Sequence, residues 1–191
     1  MEFYYNSRSE ELDVILPGSS GGIDSDFIQI LFEAAKRTGR SVVAFDYPFH
    51  ERLEKKGFGE KVGEEVRALN SVLEFCRAGG YKKVRLLGKS LGGVVAGKFL
   101  SSLSAGEQRK FELVILGYDL GWIKVGDLKE KIVIIQGSED PFGGIKLVKR
   151  DLEGASSTAI EYHEIRGADH GFRDPKTGKP KYMDKVLALI K

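Results

Sequence analysis

The feature that most constrains this chain is an alternation repeated along its length. Short apolar runs rich in β-branched residues are each followed by a stretch with helical spacing. Residues 12–16 read as a buried strand that stops at Pro17-Gly18. Residues 25–37 then set Phe27, Ile28, Leu31, Phe32 and Ala35 at helical spacing, ending near Gly39. The pairing continues with a strand at 41–46 and a helix at 60–77, closed by Gly79-Gly80. Next come a strand at 83–87 with a helix at 91–103, and a strand at 113–116 followed by an irregular segment around Gly121-Trp122. The last pairs are a strand at 132–136 with a helix at 142–152, and an edge-proximal strand at 159–165 with a helix at 183–190. Residues 2–5 are a candidate for one further strand.

Strands that are apolar along their whole length are buried on both faces, and the intervening helices supply the covering layers. Right-handed crossovers then wind the chain into an α/β, three-layer, doubly wound sheet, mostly parallel, of about six to seven strands. Loops after the carboxyl ends of the strands gather along one sheet edge, where ligands bind. No internal repeat, low-complexity tract or linker interrupts the pattern, so a single domain over residues 1–191 is expected.

Composition narrows the function classes. The chain is 41% hydrophobic and 30% charged with a formal net charge of +2, so no polyanion partner is implied. The basic clusters Lys82-Lys83-Val84-Arg85 and 146–150 read as solvated surface rather than a nucleic-acid footprint. Cys76 is the sole cysteine, which excludes an intrachain disulfide, and it continues the apolar repeat of Val66, Leu69, Val72 and Leu73, as core filler does. No apolar stretch approaches the roughly 20 residues of a membrane span. The first residues, Met1-Glu2-Phe3-Tyr4-Tyr5, lack a basic region followed by an apolar run, so a cytoplasmic protein without a membrane partner is expected. Oligomeric state is not written in these patterns.

Chemistry concentrates at Gly88-Lys89-Ser90-Leu91-Gly92. In a G-x-S-x-G elbow the serine stands on a strained strand-to-helix turn, and small neighbours two residues away relieve the crowding. The bare spelling is weak in a chain with 24 glycines; placement between the 83–87 strand and the 91–103 helix is what gives it weight. A serine nucleophile needs a base, itself oriented by an acid, in the chain order Ser, Asp or Glu, His. Asp140 follows the 132–136 strand and His170 follows the 159–165 strand, so both reach the same sheet edge. Glu139 is the nearest rival acid, Asp119 a weaker one because it follows the preceding strand, and Asp169 adjoins the histidine. His163 lies within a strand; His50 follows the Asp46-Tyr47-Pro48-Phe49 turn and is a candidate only for the pocket wall or surface. An oxyanion hole needs two preorganised N–H donors. The backbone of Leu91 is one candidate, and Ser19 in the Pro17-Gly18-Ser19-Ser20-Gly21-Gly22 run is the other.

With these segments in hand the chain resembles the compact, capless branch of the α/β-hydrolase superfamily. That branch includes the hydrolase-like domain of a subunit of a histone-acetyltransferase (NSL) complex, its small single-domain relatives, and dienelactone-hydrolase-like cousins. The resemblance rests on Pro17 to Ser25, Phe45 to Phe49, the elbow through Gly93, Leu116-Gly117-Tyr118, Gln136 to Gly143, and Gly167 to His170. It implies an oxyanion loop, a pocket-wall turn, the nucleophile, a strand end, the acid loop and the histidine loop, in that order. One departure is visible: Pro17 stands where the family usually carries a histidine.

The resulting expectation is a serine hydrolase, a carboxylesterase for small soluble esters or thioesters, working through Ser90, Asp140 and His170. Tyr47, Phe49, Tyr118, Trp122 and Phe142 all follow strand ends and are candidates for the substrate wall. No metal or organic cofactor is called for, because no histidine–carboxylate cluster has ligand spacing and the Ser/Gly loop lacks the Lys-Ser/Thr ending of a phosphate loop. Two alternatives stand beside it: a non-catalytic interaction protein on the same fold, and related acyl chemistry (thioesterase, peptidase or acyltransferase).

Overall fold

The computed structural model describes residues 1–54, 61–157 and 159–190. Its strands are β1 (Glu2–Tyr4), β2 (Glu11–Leu16), β3 (Ser41–Ala44), β4 (Lys83–Lys89), β5 (Phe111–Leu116), β6 (Ile132–Gly137) and β7 (Ile160–Ile165). They form one sheet in the order β1-β3-β2-β4-β5-β6-β7. All neighbours are parallel except β1, which pairs antiparallel with β3 through Phe3 opposite Val43. The expected doubly wound, mostly parallel sheet is therefore the one observed, with residues 2–4 as its short antiparallel edge.

The helices are α1 (Asp26–Arg37), α2 (Pro48–Glu51), α3 (Gly63–Phe75), α4 (Leu91–Ser101), α5 (Ala105–Gln108), α6 (Ile145–Asp151) and α7 (Met183–Leu189), with a 3-10 turn at Ala78–Gly80. The expected start of the third helix at Glu60 lies outside the described residues. The helix expected from Phe142 begins only at Ile145: Gly143 has φ +122°, and the Asp140 carboxylate takes the Phe142 N–H, so that segment closes as a turn first. Two four-residue helices were not anticipated. One of them, α5, is held by a capping box in which the Ser104 hydroxyl and the Glu107 side chain serve each other's backbone N–H.

The period of two along each strand sorts the core into two layers. Leu12, Val14 and Leu16 of β2, Leu86 of β4, Ile115 of β5 and Ile134 of β6 meet Leu69 of α3 and Val95, Phe99 and Leu100 of α4. Ile15, Leu87, Val114 and Ile135 point the other way, onto Ile28, Leu31 and Phe32 of α1 and Val186 of α7. Burying each such side chain contributes roughly 1.5–3 kcal/mol, which is why both faces of the sheet are covered.

The second layer also contains a charge. Asp13 is fully buried on β2, and burial raises its carboxyl from the ordinary value while Arg85 opposes the shift. Arg85 grips both Asp13 oxygens, at 2.9 and 2.6 Å, and gives a third hydrogen bond to the Ile190 carbonyl at 2.6 Å. The pair therefore ties the sheet to the end of α7.

The chain runs outward from β2 to β3 in one direction, then crosses to β4 on the other side of β2. The carboxyl ends of β2 and β4 thus flank the switch point, where an α/β sheet opens a crevice. That geometry brings the glycine-rich loop after β2 beside Ser90.

Candidate active site

Ser90 sits between the last residue of β4 and the first of α4 with φ +50° and ψ −112°, a conformation costly for any residue with a side chain. Its neighbours have to be glycines. A Cβ on Gly88 would lie 2.6 Å from the Gly93 nitrogen, and one on Gly92 would press on the Leu16 carbonyl of β2. The turn is stitched by Ser90 N–H to the Leu116 carbonyl at 3.1 Å and by Gly93 N–H to the Ser90 carbonyl at 2.7 Å. Leu91 opens α4, where no preceding helical carbonyl lies in reach of its N–H.

Asp140 and His170 meet at the same edge. His170 Nδ1 lies 2.7 Å from Asp140 Oδ2. The acid is nearly buried and strapped: Gln136 Nε2 donates to Asp140 Oδ2 at 3.0 Å and the Phe142 N–H donates to Oδ1 at 2.9 Å. Gln136 in turn accepts the Tyr118 N–H at 2.6 Å. The histidine loop is held as firmly. Asp169 Oδ1 takes the N–H groups of Gly171 and Arg173, both at 2.8 Å, and the Glu139 N–H reaches the Ala168 carbonyl at 2.9 Å. Gly117, with φ +78°, lets the imidazole approach: a Cβ there would stand 2.9 Å from His170 Cε1.

The Ser90 hydroxyl does not point at this histidine. It donates to Asp119 Oδ2 at 2.8 Å, while Asp119 Oδ1 lies 3.7 Å from His170 Nε2. Asp119 is 1% exposed, and burial raises its carboxyl from the ordinary value against the pull of His170, Ser90 and Lys89. The Lys89 amine is also buried beneath the histidine, beside Gly117, and burial pulls it down to about 8 despite Asp119, Asp140 and Asp169 nearby. Among the described residues Asp119 Oδ1, His170 Nε2 and Lys89 Nζ have no hydrogen-bond partner.

Ser90 and His170 face a cavity of about 430 Å³, whose rim includes Ser19, Phe27, Phe142 and Arg173. Of the expected wall aromatics, Phe142 stands at this cavity, edge-on to His170 with ring centres 4.8 Å apart. The other four do not line it, which corrects the expectation. Tyr47 and Phe49 are buried in the core and stack on each other at 5.7 Å. Tyr118 is fully buried and donates to Asp151 Oδ2 at 2.7 Å. Following a strand end does not decide which way a side chain turns, and these three turn into the layer under α3 and α4. Trp122 is partly exposed, one turn further along its loop.

Glu139 is exposed and takes the Ser138 hydroxyl. His163 stays on β7, 3.6 Å from Glu161. His50 lies behind the oxyanion-loop candidate: its Nδ1 is 3.4 Å from Asp46 Oδ1, which accepts the Ile23 N–H at 2.9 Å. Burial lowers the His50 imidazole, opposed by Asp46 and by the carbonyls of Ser19 and Gly18 beside it. Asp46 therefore holds the far end of the loop in which Pro17 replaces the expected histidine, and His50 packs behind it without a hydrogen bond of its own. Sequence reasoning missed Gln136, Lys89, Phe27 and Arg173. Gln136 was detectable as a polar residue ending an apolar strand; the others carry no local signal.

Comparison with known proteins agrees with this architecture. A family model described as an alpha/beta hydrolase domain matches residues 11–189. No curated protein matches the chain. An α/β serine hydrolase homologue from Coxiella burnetii has a similar structure, with TM-score 0.73 and 20% identity over 95% of this chain and 85% of that one. A serine hydrolase without a lid from Xanthomonas campestris superposes with TM-score 0.71 and 19% identity, over 95% and 80% of the two chains. An esterase from Pyrococcus furiosus gives TM-score 0.71 and 15% identity, over 98% and 85%. At such identities the likeness speaks for the fold, whereas the family match spans nearly the whole sequence. The chain belongs to the α/β-hydrolase family.

Proposed function

We propose that the protein is a serine hydrolase, a carboxylesterase for small soluble esters or thioesters. The observation that carries this reading is the 2.7 Å contact of His170 Nδ1 with the strapped Asp140 carboxylate, beside a serine in strained elbow geometry. Asp140 holds the imidazole with Nε2 turned to the site, the orientation a general base needs. His170 takes the Ser90 proton as Oγ attacks the acyl carbonyl. It returns that proton to the leaving alcohol or thiol, and a water activated in the same way releases the acid. The N–H groups of Leu91 and Ser19 receive the oxyanion.

The substrate class follows from the cavity. About 430 Å³ accommodates a short acyl or aryl group, Phe27 and Phe142 offer apolar contact, and the described residues form no lid. The related esterase and lidless serine hydrolase support the reading at the level of fold. The test is labelling by a fluorophosphonate probe together with a series of p-nitrophenyl esters. We expect labelling that vanishes in Ser90→Ala, and kcat/KM that peaks at short acyl chains. An unlabelled protein, under conditions where a control esterase reacts, overturns the enzyme reading in favour of an interaction protein; a peak at long chains overturns the substrate class.

A further inference from the structure

We propose that Asp119 is a further residue of the reacting site, which parks the Ser90 hydroxyl away from His170 so that the serine must be released before it can attack. The inference rests on the serine chemistry proposed above. A serine hydroxyl has one proton and can point it at one acceptor. Here that proton goes to Asp119 Oδ2 at 2.8 Å, within a buried pair, and His170 Nε2 receives nothing from Ser90. Asp119 is held in place by its own turn, whose Trp122 and Ile123 N–H groups both lie 3.2 Å from the Asp119 carbonyl. The backbone of Asp119 is thus anchored by its own turn, and among the described residues its carboxylate takes its hydrogen bond from Ser90.

Every charged element around Asp119 is consistent with a resting clamp. Lys89 approaches from the end of β4, Asp140 from the loop after β6, and His170 from the loop after β7, where Asp169 and Arg173 stand beside it. Asp119 Oδ1 and His170 Nε2 face each other at 3.7 Å without a hydrogen bond, so the carboxylate lies between base and nucleophile. Attack requires the Ser90 O–H to leave Asp119 and turn to Nε2. The O–H bond then breaks toward nitrogen, the Oγ–carbon bond forms, and the carbonyl π pair moves to oxygen. A hydrogen bond to an ionised acceptor is about twice as strong as a neutral one, so leaving it raises the barrier to that first step.

The experiment compares fluorophosphonate labelling rates of the wild type, Asp119→Asn and Asp119→Ala, with thermal melting run on each to establish that the variants fold. The expected result is graded: Asp119→Asn labels faster than wild type and Asp119→Ala faster still, by roughly tenfold, the scale of one charge-assisted hydrogen bond. The effect also carries a pH signature. The Asp119 carboxyl lies above its ordinary value. As pH falls toward it, the wild type takes up a proton there and loses the clamp, so the ratio of variant to wild-type rates shrinks toward one. Titrations common to both proteins cancel in that ratio. Rates in folded variants that equal the wild type or fall below it overturn the clamp while leaving the serine hydrolase reading intact. No labelling of any form overturns both.

Discussion

At the residue scale, the site depends on groups that never touch a substrate. Ser90 is strained; Gly88 leaves room for the backbone of Gly92 and Gly93, and Gly92 lets α4 lie against β2. Gln136 and the Phe142 N–H hold Asp140, which holds His170. Asp46 plays the matching part for the glycine-rich loop by accepting the Ile23 N–H. Asp46→Ala frees the Ile23 N–H and removes the carboxylate beside His50, so the loop carrying the proposed Ser19 donor loses a support. We expect kcat on a short p-nitrophenyl ester to fall roughly tenfold with a smaller change in KM, short of the hundredfold or more for losing an oxyanion donor outright. A change confined to KM would show that the loop shapes ground-state binding instead. Ser90, Asp140 and His170 could be named from spacing and chain order. Gln136 stood out only as a polar residue ending an apolar strand, and the Asp46 contact to Ile23 could not be named, because its partner is 23 positions away and Gln136 binds the Tyr118 N–H 18 positions back.

At the scale of elements, one buried ion pair joins three pieces of structure. Asp13 on β2 and Arg85 on β4 are neighbours across a parallel ladder, and Arg85 also closes on the Ile190 carbonyl after α7. Removing Arg85 leaves the buried Asp13 with only Arg40, 3.9 Å away and without a hydrogen bond, so Arg85→Leu should destabilise the fold by about 3–5 kcal/mol in urea unfolding. The double variant Asp13→Leu/Arg85→Leu should recover much of that loss, since the uncompensated charge goes with it. Equal losses in the single and double variants would mean that the Ile190 contact, rather than charge pairing, carries the stability. The sequence reading placed the strands well and the helix ends less well. Apolar runs announce a strand directly, whereas the late start of α6 depends on Asp140 capturing the Phe142 N–H, a contact set by the site.

At the scale of the molecule, one seven-stranded sheet joins all the described elements, with a helical layer and a core on each face. We propose that this sheet and its two cores act as one folding unit, which should lose its structure in one transition. We therefore expect far-UV circular dichroism, tryptophan fluorescence at Trp122 and loss of the proposed ester hydrolysis to coincide in a urea titration. Activity lost well before the other two would mark the loops after β6 and β7 as a separately melting unit.

Sequence alone determined the fold class, the sheet's mostly parallel character, and Ser90, Asp140 and His170 as the residues to examine. These follow from local periodicity and from chain order, which the linear text preserves. The departure at Pro17, where the resemblance implied a histidine, meant that the glycine-rich loop had to be braced in some other way. Tertiary structure decided what depends on direction in space. It sent Tyr47, Phe49 and Tyr118 into the core, set His50 and Asp46 behind the loop, and turned the Ser90 hydroxyl toward Asp119. The physical reason is the same in each case. Burial and hydrogen bonding act between groups that the fold brings together, and a residue's place in the sequence does not say which way its side chain will turn.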